Sequence, residues 1–247
     1  MVSPMNSAVV IDGHRQTKPR IVEIIGPAGA GKTTLCQTLN NYQEQIQLRD
    51  FPNVRKVGDA PFFIRYGLGL VPVLLHLYQR TSRQLRRREF AWMSILMGWP
   101  YILQKEARKG SKVILLDQGP VYLMAEMKEF GPEYLRNQKA EKLWQSLYYR
   151  WAKTLDMIVW LDAADANLLE RIRTRDQEHI VKNEGASTVF EFLGRYRRAY
   201  EEIISRLEAK TTGLRVLRFD TSRQQPKKIA DHLLVEIGLF TTNGRMK

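Results

Sequence analysis

The residues richest in chemistry are Gly26-Pro27-Ala28-Gly29-Ala30-Gly31-Lys32-Thr33. They satisfy G-x-x-x-x-G-K-[ST] at every fixed position. Glycines let the backbone curl until successive N–H groups point inward at a polyphosphate, and the helix that follows adds partial positive charge at its N-terminus. In such a loop Lys32 reaches the β- and γ-phosphates, the Thr33 hydroxyl is a ligand for Mg²⁺, and Thr34 continues the first helical turn. ATP and Mg²⁺ are therefore the expected cofactors.

Other candidates lie downstream. Asp117 ends an apolar run, which puts it at the carboxyl edge of a sheet, where open α/β folds bind ligands. Two roles are open to it: holding Mg²⁺ as the partner of Thr33, or accepting the proton of an attacking hydroxyl. The alternative is an Asp that only starts the turn before Gly119-Pro120. Arg171 and Arg175 are four residues apart and share a helix face, whereas Arg173 points elsewhere. Phosphoryl transfer spreads negative charge over equatorial oxygens, and arginines on a lid would stabilise it. Arg195, Arg197 and Arg198 are weaker candidates of the same kind. Asp220-Thr221-Ser222 ends the last apolar run, so Ser222 is expected near the base of a nucleotide. On the acceptor side Asp59 and Arg65 flank Phe62 and Phe63. A carboxylate there can bind sugar hydroxyls, and an arginine can pair with a phosphate. Trp92, Leu96 and Trp99 would add an apolar wall, unless they are core.

These groups need a scaffold, and the hydrophobic pattern supplies one. Ile21–Ile25, interrupted only by Glu23, reads as a buried strand feeding the glycine-rich loop. Val113–Leu116 and Met157–Leu161 are further apolar strands, Leu214–Phe219 is a last one, and Val54–Val57 is a short candidate for the second. Helical patterns separate them. Nearly continuous apolar strands alternating with helices indicate a parallel sheet covered on both faces. The expected fold is α/β: a P-loop NTPase-type five-stranded parallel sheet flanked by helices, with a helical insertion and an arginine-bearing lid. Residues 1–20 read as a flexible lead-in without the apolar core of a signal peptide. Residues 21–240 read as a single domain, with an acceptor-side helical region at 61–110 and a lid at 171–188, and residues 241–247 as a frayed tail. Pro100 is expected to kink or end its helix.

Composition narrows the partners. Lys and Arg number 39 against 26 Asp and Glu, a net charge of +13, which suits a polyanionic partner. The arginine cluster from Arg83 to Arg88 lacks the interleaved aromatics of a stacking surface, so nucleic acid is not expected. The longest uncharged runs, 66–79 and 90–104, fall short of a membrane span. No transmembrane segment is expected, although the charge permits peripheral membrane contact, and a homodimer is allowed. A single cysteine, Cys36, excludes an internal disulfide and suggests a reducing, cytoplasmic location.

The chain resembles the thymidylate kinase and deoxynucleoside kinase branch of P-loop kinases. ARKGSKVILLDQG is similar to the family's helix–Gly–strand–Asp-Arg segment. WLDAADANLLERIRTR is similar to its strand, Asp, helix and lid, with Arg171 and Arg175 on the lid positions. FLGRYRRAY resembles the helix after the lid, and FDTSRQQPKKIADHLLVEI the closing strand, base loop and helix. The departures concentrate on the acceptor side. Gln118 stands where the family has arginine, which makes it an acceptor-side candidate. Ala28 replaces the P-loop aspartate of thymidylate kinases, GDAPFF replaces their Arg-Glu-Pro-Gly-Gly loop, and Phe90–Tyr101 carries no arginine. The resemblance implies an ATP-dependent, Mg²⁺-using phosphotransferase acting on a nucleoside, nucleotide or other alcohol. An NTP-binding accessory protein with weak hydrolysis is the alternative, and a sulfotransferase fits poorly with an intact G-K-T.

Overall fold

The computed structural model describes residues 20–42, 44–53, 57–77, 84–110, 112–176 and 178–239. Its centre is a five-stranded sheet: β1 (Ile21–Ile25), β2 (Ile46–Leu48), β3 (Val113–Asp117), β4 (Met157–Asp162) and β5 (Arg215–Asp220), in the order β2-β3-β1-β4-β5. Every pairing is parallel. β1 is central and wholly buried, as its apolar run requires. Register pairs Ile24 of β1 with Asp117 of β3, so the strand ends that precede the glycine loop and the Asp117 turn lie side by side.

Helices cover both faces: α1 (Lys32–Leu39), α2 (Ala60–Leu77), α3 (Arg87–Lys109), α4 (Pro120–Glu129), α5 (Glu141–Ala152), α6 (Asp165–Thr174), α7 (Ala186–Glu208) and α8 (Pro226–Glu236). Gly131 and Pro132 fall between α4 and α5, where a proline cannot continue the helix.

The second strand differs from expectation. Most of Val54–Val57 lies outside the described residues, and Val57 opens a 3₁₀ turn, Val57–Asp59. The strand is instead Ile46–Leu48, an edge strand with only Ile46 buried, so its apolar signal is almost nil. Pro100 does not end its helix, because α3 runs through it to Lys109. Proline removes the N–H that would bond the Leu96 carbonyl. That carbonyl accepts the indole N–H of Trp151 at 2.9 Å, so it is not left unsatisfied and the helix continues.

The 1–20 lead-in and the 241–247 tail fall, Arg20 excepted, outside the described residues.

Candidate active site

The glycine loop joins β1 to α1. Gly26 leaves the sheet where a side chain has no room: a Cβ there would lie 2.2 Å from the Leu161 carbonyl oxygen of β4. Gly31, with φ 89°, takes the left-handed conformation that starts α1. Among the described residues no side chain caps α1, and its first turn has no acidic residue, so its first N–H groups are available to an anion. The Lys32 ammonium is buried and donates to the carbonyls of Gly26 (2.8 Å) and Pro27 (2.9 Å). Burial pushes its pKa down to about 8, against the pull of Asp117. A polyphosphate in the loop would replace weak carbonyl partners with strong anionic ones, so the cradle fits that ligand.

Asp117 ends β3 and starts a strained turn. Gln118 has φ 58°, uncommon for a residue with a side chain, and its N–H bonds the Ile24 carbonyl at 3.2 Å. Glu23 fastens this turn from below. Its carboxyl group accepts from the N–H of Val121 at 3.0 Å and of Tyr122 at 3.2 Å, in the first turn of α4. Glu23 is fully buried, and burial outweighs those donors, pushing its pKa up to about 8. The unfolded chain ionises near 4.5, whereas the folded one holds the proton until about 8. Stability from Glu23 is therefore full below about pH 4.5 and lost as pH rises towards 8, at about 1.4 kcal/mol per pH unit. Thermal melts between pH 5 and 8 should show this fall, and Glu23→Gln should flatten it. Equal slopes in both proteins would remove Glu23 from the account.

Three clefts meet around these residues. The first, about 530 Å³, runs from Lys32, Thr33 and Thr34 past Arg171, Thr174 and Arg175 to Thr221, Gln224 and Pro226. The second, about 310 Å³, joins Lys32 and Thr33 to Asp117, Gln118, Tyr122, Arg175 and His179. The third, about 760 Å³, is lined by Asp50, Phe51, Asn53, Arg87, Arg88, Trp92 and Asp117. Asp117 and Arg175 each border two of them. Burial raises the Asp117 pKa, Lys32 opposes this, and the neighbouring Asp50 carboxylate adds to it. Thr33 and Asp117, oxygen donors lining one cleft beside the lysine, suit a hard cation such as Mg²⁺.

The arginines divide. Arg171 donates to the Gly29 carbonyl (3.2 Å), the Thr221 hydroxyl (2.9 Å) and the Thr221 carbonyl (2.9 Å), tying the glycine loop to the loop after β5. Arg175 caps α6, and its Nε is buried without a partner among the described residues. Burial lowers its pKa. Arg175 lines both the first and the second cleft, where its guanidinium could pair with an anion. Arg173 turns outward to the Glu184 carbonyl, and Arg195 pairs with Glu129. Arg197 is held by Asp162 and Asp165, so it braces the end of β4.

Several expectations need correction. Ser222 bonds to Asp220 and is not part of the first cleft, whose wall there is Thr221 and Gln224. Asp59 is spent on its own loop, accepting from the Asn53 N–H at 2.8 Å. Arg65 is exposed on α2, near the Tyr66 ring, and does not line the third cleft. Leu96 and Trp99 are core, and Trp99 packs against Phe51 and Trp151. Of that expected wall only Trp92 faces the cleft, under the Arg88 guanidinium at 4.3 Å. Asp50, Arg87, Arg88 and Glu23 are the residues the sequence reading missed. The misplaced second strand concealed Asp50, and the arginines read as a solvated helix face.

No protein-family model matches the chain, and no curated protein matches it in sequence. Solved structures do. Deoxyadenosine kinase from M. mycoides with bound dATP is similar over 88% of this chain and 98% of its own, at 15% identity and a TM-score of 0.50. Thymidylate kinase from Candida albicans is similar over 89% of this chain and 91% of its own, at 15% identity and a TM-score of 0.50. At such identities the likeness establishes the fold: a parallel five-stranded sheet flanked by helices, as in P-loop kinases.

Proposed function

We propose that this protein transfers the γ-phosphoryl group of ATP to a small-molecule acceptor, in the manner of nucleoside and nucleotide kinases. The observation that carries the proposal is the convergence of Lys32, Thr33, Asp117 and Arg175 on one cleft, with a larger cleft on either side of it. One side suits a donor and the other an acceptor, and the phosphoryl group would cross between them. Fold likeness to a deoxyadenosine kinase and a thymidylate kinase agrees with phosphotransfer at this coarse level.

Thr33 and Asp117 would hold Mg²⁺, which when bound supplies charge neutralisation at the phosphates. Lys32 binds and orients the transferring group, and Arg175 offsets charge that builds up on its equatorial oxygens. The acceptor oxygen attacks phosphorus as the bond to the β-phosphate oxygen breaks. If the acceptor is an alcohol, its proton needs a base. Asp50 suits that role better than Asp117, because it borders the acceptor cleft alone while Asp117 is engaged beside Lys32 and Thr33. Arg171 acts by positioning, since its guanidinium is committed to Gly29 and Thr221.

The acceptor half departs from thymidylate kinases at Ala28 and Gln118, so thymidylate is not the substrate we infer. Arg87 and Arg88 at the third cleft, with Trp92 beneath, support an acceptor that carries an anionic group and a flat or apolar body. Screening ATP consumption against nucleosides, nucleotides, sugars and sugar phosphates tests the reading. An anionic acceptor should be consumed. Arg88→Ala should raise its KM roughly ten- to hundred-fold, the worth of a charge-assisted pair, with the KM for ATP unchanged. Preference for a neutral acceptor, or equal loss of ATP affinity, would reject this assignment.

A further inference from the structure

The acceptor side carries a surface that phosphotransfer does not use. Exposed large apolar residues fall disproportionately on α2, where Ile64 (61% exposed), Leu68 (67%), Val71 (41%) and Leu75 (70%) recur at helical spacing. They form one stripe on the outer face of the helix. The opposite face is fixed to α3. Leu70 and Leu77 are buried, Gly67 lies against the Phe90 ring, and the Tyr66 ring covers Gly98 so closely that a Cβ there would be 2.3 Å away. No Asp or Glu occurs anywhere in α2, while Arg65 is exposed on it and Arg86 is exposed just before α3, both outside the acceptor cleft.

We propose that this face of α2 docks on an anionic phospholipid surface, with the stripe among the acyl-chain boundary and the arginines at the headgroups. The helix is by length and composition apolar enough to cross a membrane. Its 18 residues span about 27 Å, however, and it is held to α3 through Tyr66, Gly67 and the buried Leu70 and Leu77, so it lies on the bilayer rather than through it. A second copy of the chain fits less well. Pairing α2 with itself would bring the same carboxylate-free, arginine-flanked face against its twin, in a protein of net charge +13. An anionic membrane supplies the opposite charge. This inference is independent of the phosphotransfer reading.

The test is co-sedimentation of the full chain with phosphatidylglycerol-containing vesicles and with pure phosphatidylcholine vesicles. Binding should need the anionic lipid and weaken with salt. Leu68→Glu and Leu75→Glu replace exposed residues and should keep the fold, yet each should lower vesicle binding roughly ten-fold or more. A tryptophan introduced by Leu68→Trp should shift its emission to the blue only with anionic vesicles. Absence of vesicle binding, equal binding to neutral vesicles, or a lipid-independent dimer abolished by Leu68→Glu would overturn the proposal.

Discussion

Lys32→Ala should abolish turnover while the protein stays folded. Among the described residues the ammonium has two carbonyl partners, Gly26 and Pro27, and burial already disfavours its charge. Removing it thus relieves a desolvation cost in the free protein and gives up two carbonyl hydrogen bonds and the pull of Asp117, so the two effects offset. With ATP bound, the same group would make charge-assisted hydrogen bonds worth about 1.5–3 kcal/mol each. Losing a pair of them amounts to roughly 10²- to 10⁴-fold in rate. Single-turnover rates and thermal melts, measured together, check this: the rate should collapse and the melting temperature should hold. Wild-type turnover in Lys32→Ala would refute the role of the glycine loop.

Asp117→Asn should have the second largest effect. The substitution keeps the shape of the strand-end turn and removes the charge. Asp117 is held against ionisation by burial and by Asp50, and Lys32 offsets this, so an uncharged residue should be tolerated by the fold. Transfer should nonetheless fall by roughly 10²- to 10⁴-fold, the range for a positioned acid–base or charge-bearing group. Asp50→Asn separates the two carboxylates. If Asp50 is the base, its loss should lower kcat for an alcohol acceptor and leave the apparent affinity for Mg²⁺ unchanged, while Asp117→Asn should weaken the Mg²⁺ dependence. A large drop in melting temperature with surviving activity per folded molecule would make Asp117 a turn residue only.

Much of this site could be read from residue order, for physical reasons. The glycine loop is legible because its chemistry fixes residue types at fixed spacing. β1, β3 and β4 are legible because strands buried on both faces must be apolar throughout, which also locates Asp117. β2 was not, since a three-residue edge strand with one buried position has little pattern to show. That single misplacement hid Asp50. That α3 continues past Pro100 was not legible either, because the donor that rescues the Leu96 carbonyl, Trp151, comes from a distant helix. Arg87 and Arg88 belong to the same class. An exposed arginine run looks alike whether it faces solvent or a cleft, and only the packing of α3 beside the Asp50 loop distinguishes them. Ser222 failed more narrowly, its hydroxyl being drawn to Asp220 while its neighbour Thr221 faces the pocket.

The most direct measurement is the fate of the γ-phosphate of labelled ATP, incubated with the protein, Mg²⁺ and a panel of hydroxyl- and phosphate-bearing metabolites. Label should appear on an organic acceptor with the wild type and on none with Lys32→Ala. Release of label only as inorganic phosphate, at a rate no acceptor changes, would contradict the account and identify the protein as a nucleotide hydrolase acting through partners.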